Sequence, residues 1–131
     1  MKEINAKIQV RFCDLDAYGH VNHAMYLSYM EVARVELVRD IFVRDMKRNI
    51  QYLLIGAHVQ YIKPVLLDDT LIVTARFLEA GKVKFRVDYE LRNGSGTLCA
   101  TGYTEHALYD GKAGRPIRIT DELRDFINGQ G

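Results

Sequence analysis

The sequence predicts an α+β domain in which a curved antiparallel sheet wraps around one long central helix. Three observations predict it. From about His23 onward Tyr26, Met30, Ala33, Leu37 and Ile41 recur at steps of three and four, the period of a helix. Four later stretches alternate apolar with polar residues, the period of a half-buried strand. Short turns containing glycine, Glu79-Ala-Gly81 and Asn93-Gly-Ser-Gly96, join three of those stretches and make them consecutive and antiparallel. A mostly apolar helix must bury itself and half-apolar strands must cover something, so each serves as the other's cover.

The elements follow in order. Ile4 to Phe12 is a strand candidate, with Ile4, Ala6, Ile8 and Val10 alternating against polar neighbours. The polar stretch from Asp14 to Asn22 is a loop with Gly19 at its tight point. A helix then starts near Asn22, a good N-cap type, and ends between Arg39 and Lys47. At about seventeen residues it would be roughly 25 Å long. It is apolar nearly all round, so more than one side should be covered by protein. The four strands are Ile50–Ile62, Thr70–Leu78, Lys82–Arg92 and Thr97–Tyr109. In the first, Leu53, Ile55, Ala57, Val59 and Tyr61 are expected to share one face. Alternation is strictest in the third, where Val83, Phe85, Val87, Tyr89 and Leu91 interleave with six charged residues. Thr120 can cap a closing helix through Leu123, Phe126 and Ile127. One helix is little cover for so many strands, so an edge or a surface is left for a second copy, and a homodimer or homotetramer is expected.

Composition sets the class. The chain has 131 residues, one domain's worth (1–131), of which 48% are hydrophobic and 27% charged. Eighteen Lys plus Arg against seventeen Asp plus Glu leave a net charge of +1, which removes the basic footprint of a nucleic-acid binder. No apolar run approaches the roughly eighteen residues of a membrane span. The opening Met1-Lys-Glu-Ile-Asn-Ala-Lys7 has no apolar stretch of the secretory type. Two cysteines, Cys13 and Cys99, are too few for a disulfide framework and fit a reducing compartment, with a single bridge left open. A cytoplasmic protein without nucleic-acid or membrane partners is expected.

Several chemistries lack their residues. Ser28 and Ser95 are the only serines and neither sits in a Gly-x-Ser-x-Gly elbow, which argues against a Ser-His-Asp hydrolase. No Gly-x-Gly-x-x-Gly follows a strand and no Walker motif occurs. The polar residues concentrate instead between Asp14 and His23. Asp14, Asp16, His20 and His23 include metal-ligand types, but His-x-x-His without a further Cys or matched His pair is a weak metal signal. Cys13 is a poor thiolate candidate beside Asp14. A carboxylate reading is stronger. A helix N-terminus carries unpaired N–H groups and partial positive charge, which stabilise an oxyanion forming on a carbonyl. A carboxylate folded back by a glycine turn can face the same carbonyl as nucleophile or as general base. Asp14 and Asp16 fit equally a plain role as caps of the loop or helix, and the residues alone leave both readings open.

The segment Asp14-Leu-Asp-Ala-Tyr-Gly-His-Val-Asn-His-Ala-Met-Tyr26, running on to Arg34, resembles the signature of the hot-dog-fold acyl-CoA thioesterases of the 4-hydroxybenzoyl-CoA thioesterase type. That signature is roughly Asp-x-Asp-x-x-Gly-x-Val-x-x-x-x-Tyr and opens the central helix. Downstream, Tyr61-Ile-Lys-Pro64 and Asp68-Asp-Thr-Leu71 resemble the family's junction between strands. The resemblance spans essentially the whole chain in element order as well as motif. It implies a hot-dog fold and hydrolysis of an acyl-CoA thioester, with coenzyme A entering as part of the substrate and no other cofactor.

Carried over by position, Asp16 matches the family's catalytic Asp, and the backbone N–H of His23 matches the group that polarises the thioester carbonyl. Gly19 makes the turn and Tyr26 packs near the acyl pocket. Asp14 is then structural, with its closeness to Asp16 expected to raise the pKa of one of the two. His23 replaces an aromatic residue found in some relatives, a change that bears on acyl specificity, since the family role is a main-chain one. Relatives hold the nucleotide of coenzyme A with basic surface residues, for which Lys63, Lys82 and Lys84 are the candidates here. Tyr26, Tyr29, Tyr52 and Tyr61 fit an acyl pocket and core packing equally well. Two rival readings exist. Hot-dog dehydratases need a His paired with a carboxylate in motifs absent here. A non-catalytic acyl-CoA or acyl-carrier-protein binding module would keep the fold alone, and the intact Asp16-x-x-Gly19 spacing speaks against it.

Overall fold

The computed structural model describes residues 2–129. In chain order they form β1 (Glu3–Gln9), a 3-10 turn at Phe12–Asp14, α1 (Met25–Lys47), β2 (Ile50–Tyr61), β3 (Thr70–Phe77), β4 (Lys84–Arg92), β5 (Leu98–Asp110), β6 (Arg115–Ile117) and α2 (Asp121–Ile127). The strands make one antiparallel sheet in the order β1-β3-β4-β5-β2, with the short β6 beside β5. The sheet curves around α1, as a hot-dog fold requires.

Burial explains the pairing of sheet and helix. Tyr26, Tyr29, Met30, Ala33, Leu37, Val38 and Ile41 are buried along one side of α1. They share one core with the inward residues of the sheet, among them Val73, Ala75 and Phe77 of β3 and Phe85, Val87, Tyr89 and Leu91 of β4, all essentially inaccessible. Each of the larger apolar side chains contributes about 1.5–3 kcal/mol on burial. Gly102 of β5 is required where helix and sheet come closest, because a Cβ there would collide with the Met30 Cε and the His58 carbonyl. Thr120 caps α2 as expected, its hydroxyl accepting the Leu123 N–H at 3.1 Å.

The structure departs from the sequence expectations in four places. First, α1 is longer, at 23 residues, and begins at Met25. Asn22 caps a preceding turn, its Oδ1 accepting the Ala24 N–H at 3.0 Å, and Asn49 ends the helix by taking a left-handed conformation (φ 62°). Second, the apolar residues on the far side of α1 are not covered: Leu27, Val32, Val35, Val43 and Met46 are each at least 40% exposed. Third, β2 does not lie beside β3. It occupies the opposite edge next to β5, so the segment after Tyr61 must cross the end of the sheet to reach β3. Fourth, the expected face of β2 is split by a bulge between Leu54 and Gly56. An extra residue reverses the alternation, so Leu53 pairs with the outward Ala107 while Ala57, Val59 and Tyr61 pair with the inward Thr104, Gly102 and Ala100. The short β6 has no counterpart among the expected strands.

No helix among the described residues is long and apolar enough to cross a membrane. Cys13 and Cys99 are both free, the first exposed and the second buried.

Candidate active site

The loop from Leu15 to Val21 is a closed turn. Leu15 and Val21 form a β-bridge, the Asp16 N–H donates to the His20 carbonyl at 2.7 Å, and the Gly19 N–H donates to the Asp16 carbonyl at 3.2 Å. Gly19 has φ 80°, a left-handed conformation in which a side chain would be strained. Asp16 holds the turn through one oxygen: Oδ1 accepts the N–H groups of Tyr18 at 2.8 Å and His20 at 3.2 Å. Its other oxygen, Oδ2, accepts nothing from the described residues, and Asp16 joins none of their ion pairs. One half of this carboxylate is structural and the other half is free.

The entrance of α1 is also mostly occupied. The N–H of Asn22 donates to the Asp14 carbonyl, that of Ala24 to the Asn22 side chain, that of Met25 to the Asn22 carbonyl and that of Tyr26 to the His23 carbonyl. Between residues 22 and 26, the N–H of His23 alone has no acceptor among the described residues. It sits at the positive end of a 23-residue helix, where an anion or an oxyanion is favoured.

The crossover from β2 to β3 closes the site. The Ile62 and Lys63 N–H groups both donate to the Cys99 carbonyl, and the Val21 N–H donates to the Val65 carbonyl at 2.8 Å. His20 bridges to Leu66, whose N–H is held by the Asp69 carboxylate at 2.8 Å. Tyr61 locks the helix entrance: its hydroxyl donates to the His23 carbonyl at 2.8 Å and its ring meets Tyr26 edge-on at 4.8 Å. The resulting cleft has a volume of about 270 Å³ and is lined by Asp16 and His23 from the loop and helix entrance and by Tyr61, Lys63 and Pro64 from the crossover. A larger polar hollow, about 430 Å³, lies on the outer face of the sheet, where its charges pair with one another, Arg86 with Asp88 and Arg76 with Glu3.

Asp14 is 1% exposed and faces away from this chemistry. It accepts from the Tyr29 hydroxyl at 2.7 Å and from the Arg11 guanidinium at 2.8 Å. Burial alone would raise its pKa, but the hydrogen bonds from Arg11 and Tyr29 together with the Arg11 charge outweigh burial and hold it below the usual carboxylate range. The rise expected from its closeness to Asp16 therefore does not occur at Asp14. Asp14→Asn should destabilise the fold by about 2 kcal/mol in urea unfolding, because a buried, doubly bonded carboxylate loses its charge-assisted partners. An unchanged unfolding midpoint would remove Asp14 from its structural role.

A family model for the thioesterase-like superfamily matches residues 10–127. The chain belongs to that superfamily. Among its relatives is a putative acyl-CoA thioesterase, YneP, from Bacillus subtilis (strain 168), 28% identical over 92% of this chain and 89% of that protein. The long-chain acyl-CoA thioesterase FadM of Escherichia coli (strain K12) is 27% identical over 95% of this chain and 96% of its own. Among solved structures, a thioesterase from Thermus thermophilus complexed with coenzyme A and Zn superposes with a TM-score of 0.85 at 30% identity, covering 96% of this chain and 92% of that one. The family membership accounts for the fold and for the loop-to-helix motif at once.

Within this family frame, Asp16, His23, Tyr26 and Lys63 meet at one cleft, with Gly19 in the turn that carries Asp16. Lys82 and Lys84 do not join them in the same chain. Lys84 pairs with Ala107 and Tyr61 with Ala100, so the two ends lie about seven residues, or roughly 23 Å, apart along β5. Lys84 is instead bound to Glu105 at 2.7 Å. The sequence offers Tyr61 as an acyl-pocket or core residue and His20 as a weak metal-ligand type, but neither in the role it takes here, Tyr61 bonding the His23 carbonyl and His20 donating its main-chain N–H to Asp16. The signal for Tyr61 is the Tyr-x-x-Pro motif itself, whereas His20 supplies a main-chain N–H that no residue pattern reveals. Among the described residues no group of three or more His, Cys, Asp or Glu side chains converges to hold a metal ion.

Proposed function

We propose that this chain is an acyl-CoA thioesterase in which Asp16 drives hydrolysis and the His23 N–H polarises the thioester carbonyl. The observation that carries this is the meeting, in one cleft, of a carboxylate with a free oxygen and a helix-entrance N–H with no acceptor among the described residues. Family membership and the acyl-CoA thioesterases among the relatives supply the substrate class. The arrangement serves two routes. Either the Asp16 oxygen bonds to the carbonyl carbon as the C–S bond breaks, giving a mixed anhydride that water then opens, or Asp16 takes a proton from water whose oxygen attacks directly. In both, charge builds on the carbonyl oxygen beside the His23 N–H, and the thiolate leaves without a strong general acid, since simple thiols have a pKa of about 8.5. Lys63 lines the cleft, and its charge supports a role in meeting a coenzyme A phosphate.

The test is release of free thiol from a panel of short, long and aromatic acyl-CoAs. Release that depends on Asp16 supports the enzyme; tight binding without release would leave only an acyl-binding module.

The working form is at least a homodimer. β2 is a 12-residue edge strand whose outer backbone edge is unpaired among the described residues, and Leu53, Leu54 and Ile55 on it are 40–54% exposed. Natural edge strands this long are covered or charged, and this one is neither. Light scattering should give at least about twice the 15.0 kDa chain mass. The double variant Leu53→Lys/Ile55→Lys should return the chain to monomer mass, and a wild type that is monomeric at micromolar concentration would overturn the dimer.

A further inference from the structure

A second cavity, about 330 Å³, opens beside the middle of α1. Most of its wall is apolar, formed by Val35, Val38 and Phe42 from α1, Tyr52 and Leu54 from β2, and Phe85 from β4, while Glu31 and Arg34 line the end nearer the start of α1. The rings meet edge to face, Phe42 with Tyr52 at 5.5 Å and Tyr52 with Phe85 at 5.7 Å. At its base is an ionisable group with no part in the reaction above. His106 is 2% exposed, and its imidazole stacks on Phe85 with centroids 5.0 Å apart.

The proton on His106 is placed by a chain of hydrogen bonds. A guanidinium only donates, so Arg34 Nη1 gives its hydrogen to the Tyr89 hydroxyl at 3.1 Å. The Tyr89 O–H then donates to Thr104 Oγ1 at 2.7 Å, and the Thr104 O–H donates to His106 Nε2 at 2.8 Å. The reverse direction would leave the buried Tyr89 hydroxyl without an acceptor, which native cores avoid. With Nε2 accepting, the proton of the neutral ring sits on Nδ1. Burial, aided by the Arg34 charge, keeps the ring neutral by pushing its pKa down to about 4. Nδ1 has no acceptor among the described residues, yet no buried side-chain nitrogen or oxygen there is left unpaired. Nδ1–H therefore reaches the surface of the cavity that His106 lines.

We propose that this groove receives the remote end of the acyl group and selects a tail bearing a neutral oxygen acceptor, a hydroxyl or keto oxygen, which His106 Nδ1–H binds. The proposal rests on the thioesterase reading. A mostly apolar wall with few polar groups is the layout of a selective small-molecule pocket, and here Arg34 is engaged by Tyr89 and Glu31, which leaves His106 Nδ1–H as the donor without a partner among the described residues. A neutral oxygen fits better than a carboxylate because Glu31, 3.5 Å from Arg34, offsets the nearest positive charge. The apolar part of the groove, at Val35 and Val38, lies roughly 15 Å along α1 from Tyr26 in the cleft, a span for an extended tail rather than a short acid. Antiparallel pairing of two β2 strands shortens that span, because it sets the Tyr52 end of one copy beside the cleft end of the other.

The test uses acyl-CoAs from octanoyl to hexadecanoyl, each with and without a terminal hydroxyl. At the matching length the hydroxylated member should have kcat/KM about fivefold to tenfold higher, the worth of one neutral hydrogen bond. His106→Phe, which keeps the stack on Phe85, should abolish that preference and bring the hydroxylated and plain members to the same kcat/KM. Should this variant fold poorly, Val35→Trp at the exposed rim fills the groove without touching the buried chain, and it too should erase the preference. No preference at any length, with Asp16-dependent hydrolysis intact, overturns this inference and leaves the thioesterase standing. If no thioester is cleaved at all, the free acids decide. A shift of the His106 Nδ1–H proton resonance with hydroxy acids but not plain acids supports the groove, and no shift overturns it.

Discussion

Asp16→Asn is expected to lower kcat for thioester hydrolysis at least about 10³-fold, roughly 4 kcal/mol of barrier, with the fold unchanged. The division of labour within the carboxylate is the reason. Oδ1 holds the turn by accepting from Tyr18 and His20, and an amide oxygen does the same. The amide nitrogen then replaces the free oxygen, and it can neither bond to a carbonyl carbon nor take a proton from water. Because Asp16 has no ion pair to lose among the described residues, thermal unfolding should coincide with that of the wild type. Steady-state kinetics on any acyl-CoA that the wild type cleaves, together with a melting curve, reads both halves. Activity within tenfold of wild type would end the case for Asp16. Loss of activity accompanied by a collapsed melting point would make its role one of shaping the loop.

Lowering the pH from 6.5 to 4 should cost about 3 kcal/mol of stability through His106 alone. Its folded pKa is pushed down to about 4 from an ordinary 6.5, by burial first and the Arg34 charge second. Between those values the unfolded chain takes up a proton that the folded chain refuses. The contribution is therefore fully present above pH 6.5 and is lost as pH falls toward 4. Asp14 acts in a separate window: its depressed pKa adds stability above the ordinary value of 3.8 that is lost only as pH falls through the folded one. Urea unfolding at pH 7.5, 6 and 5 should show the slope in the wild type and a flattened profile in His106→Phe. A wild type equally stable at pH 7.5 and 5 would mean that His106 becomes protonated without penalty, which would also loosen the argument for its Nδ1–H.

The periodicity of Tyr26, Met30, Ala33, Leu37 and Ile41 made α1 legible, because one burial side repeats along it. The Asn93-Gly-Ser-Gly96 turn did the same for the β4–β5 hairpin. The helix entrance was less legible. Asn22 is a capping residue in type, but it caps a turn one step before α1, and only the hydrogen bonds show that His23 is the N–H left over. The face of β2 was misread because a bulge adds one residue and reverses all that follow, and alternation within a single strand carries no sign of it. Lys82 and Lys84 looked equivalent to Lys63 as surface cations. Their separation from the cleft follows from strand register, which is a relation between strands.

What the sequence by itself determined is local: where the chain is helical or extended, where it turns, and that Asp16 and Gly19 stand at the spacing of a thioesterase loop. Those features depend on residues within one or two turns of each other, so a linear reading reaches them. Only the tertiary structure decided that β2 leaves β3 for the far edge, and that the crossover this forces brings Tyr61, Lys63 and Pro64 against Asp16. It also decided that Arg34, Tyr89, Thr104 and His106, drawn from three elements, share one chain of protons. Both come from long-range strand pairing and from the closeness of packed layers, in which each group's partner is chosen by the rest of the fold.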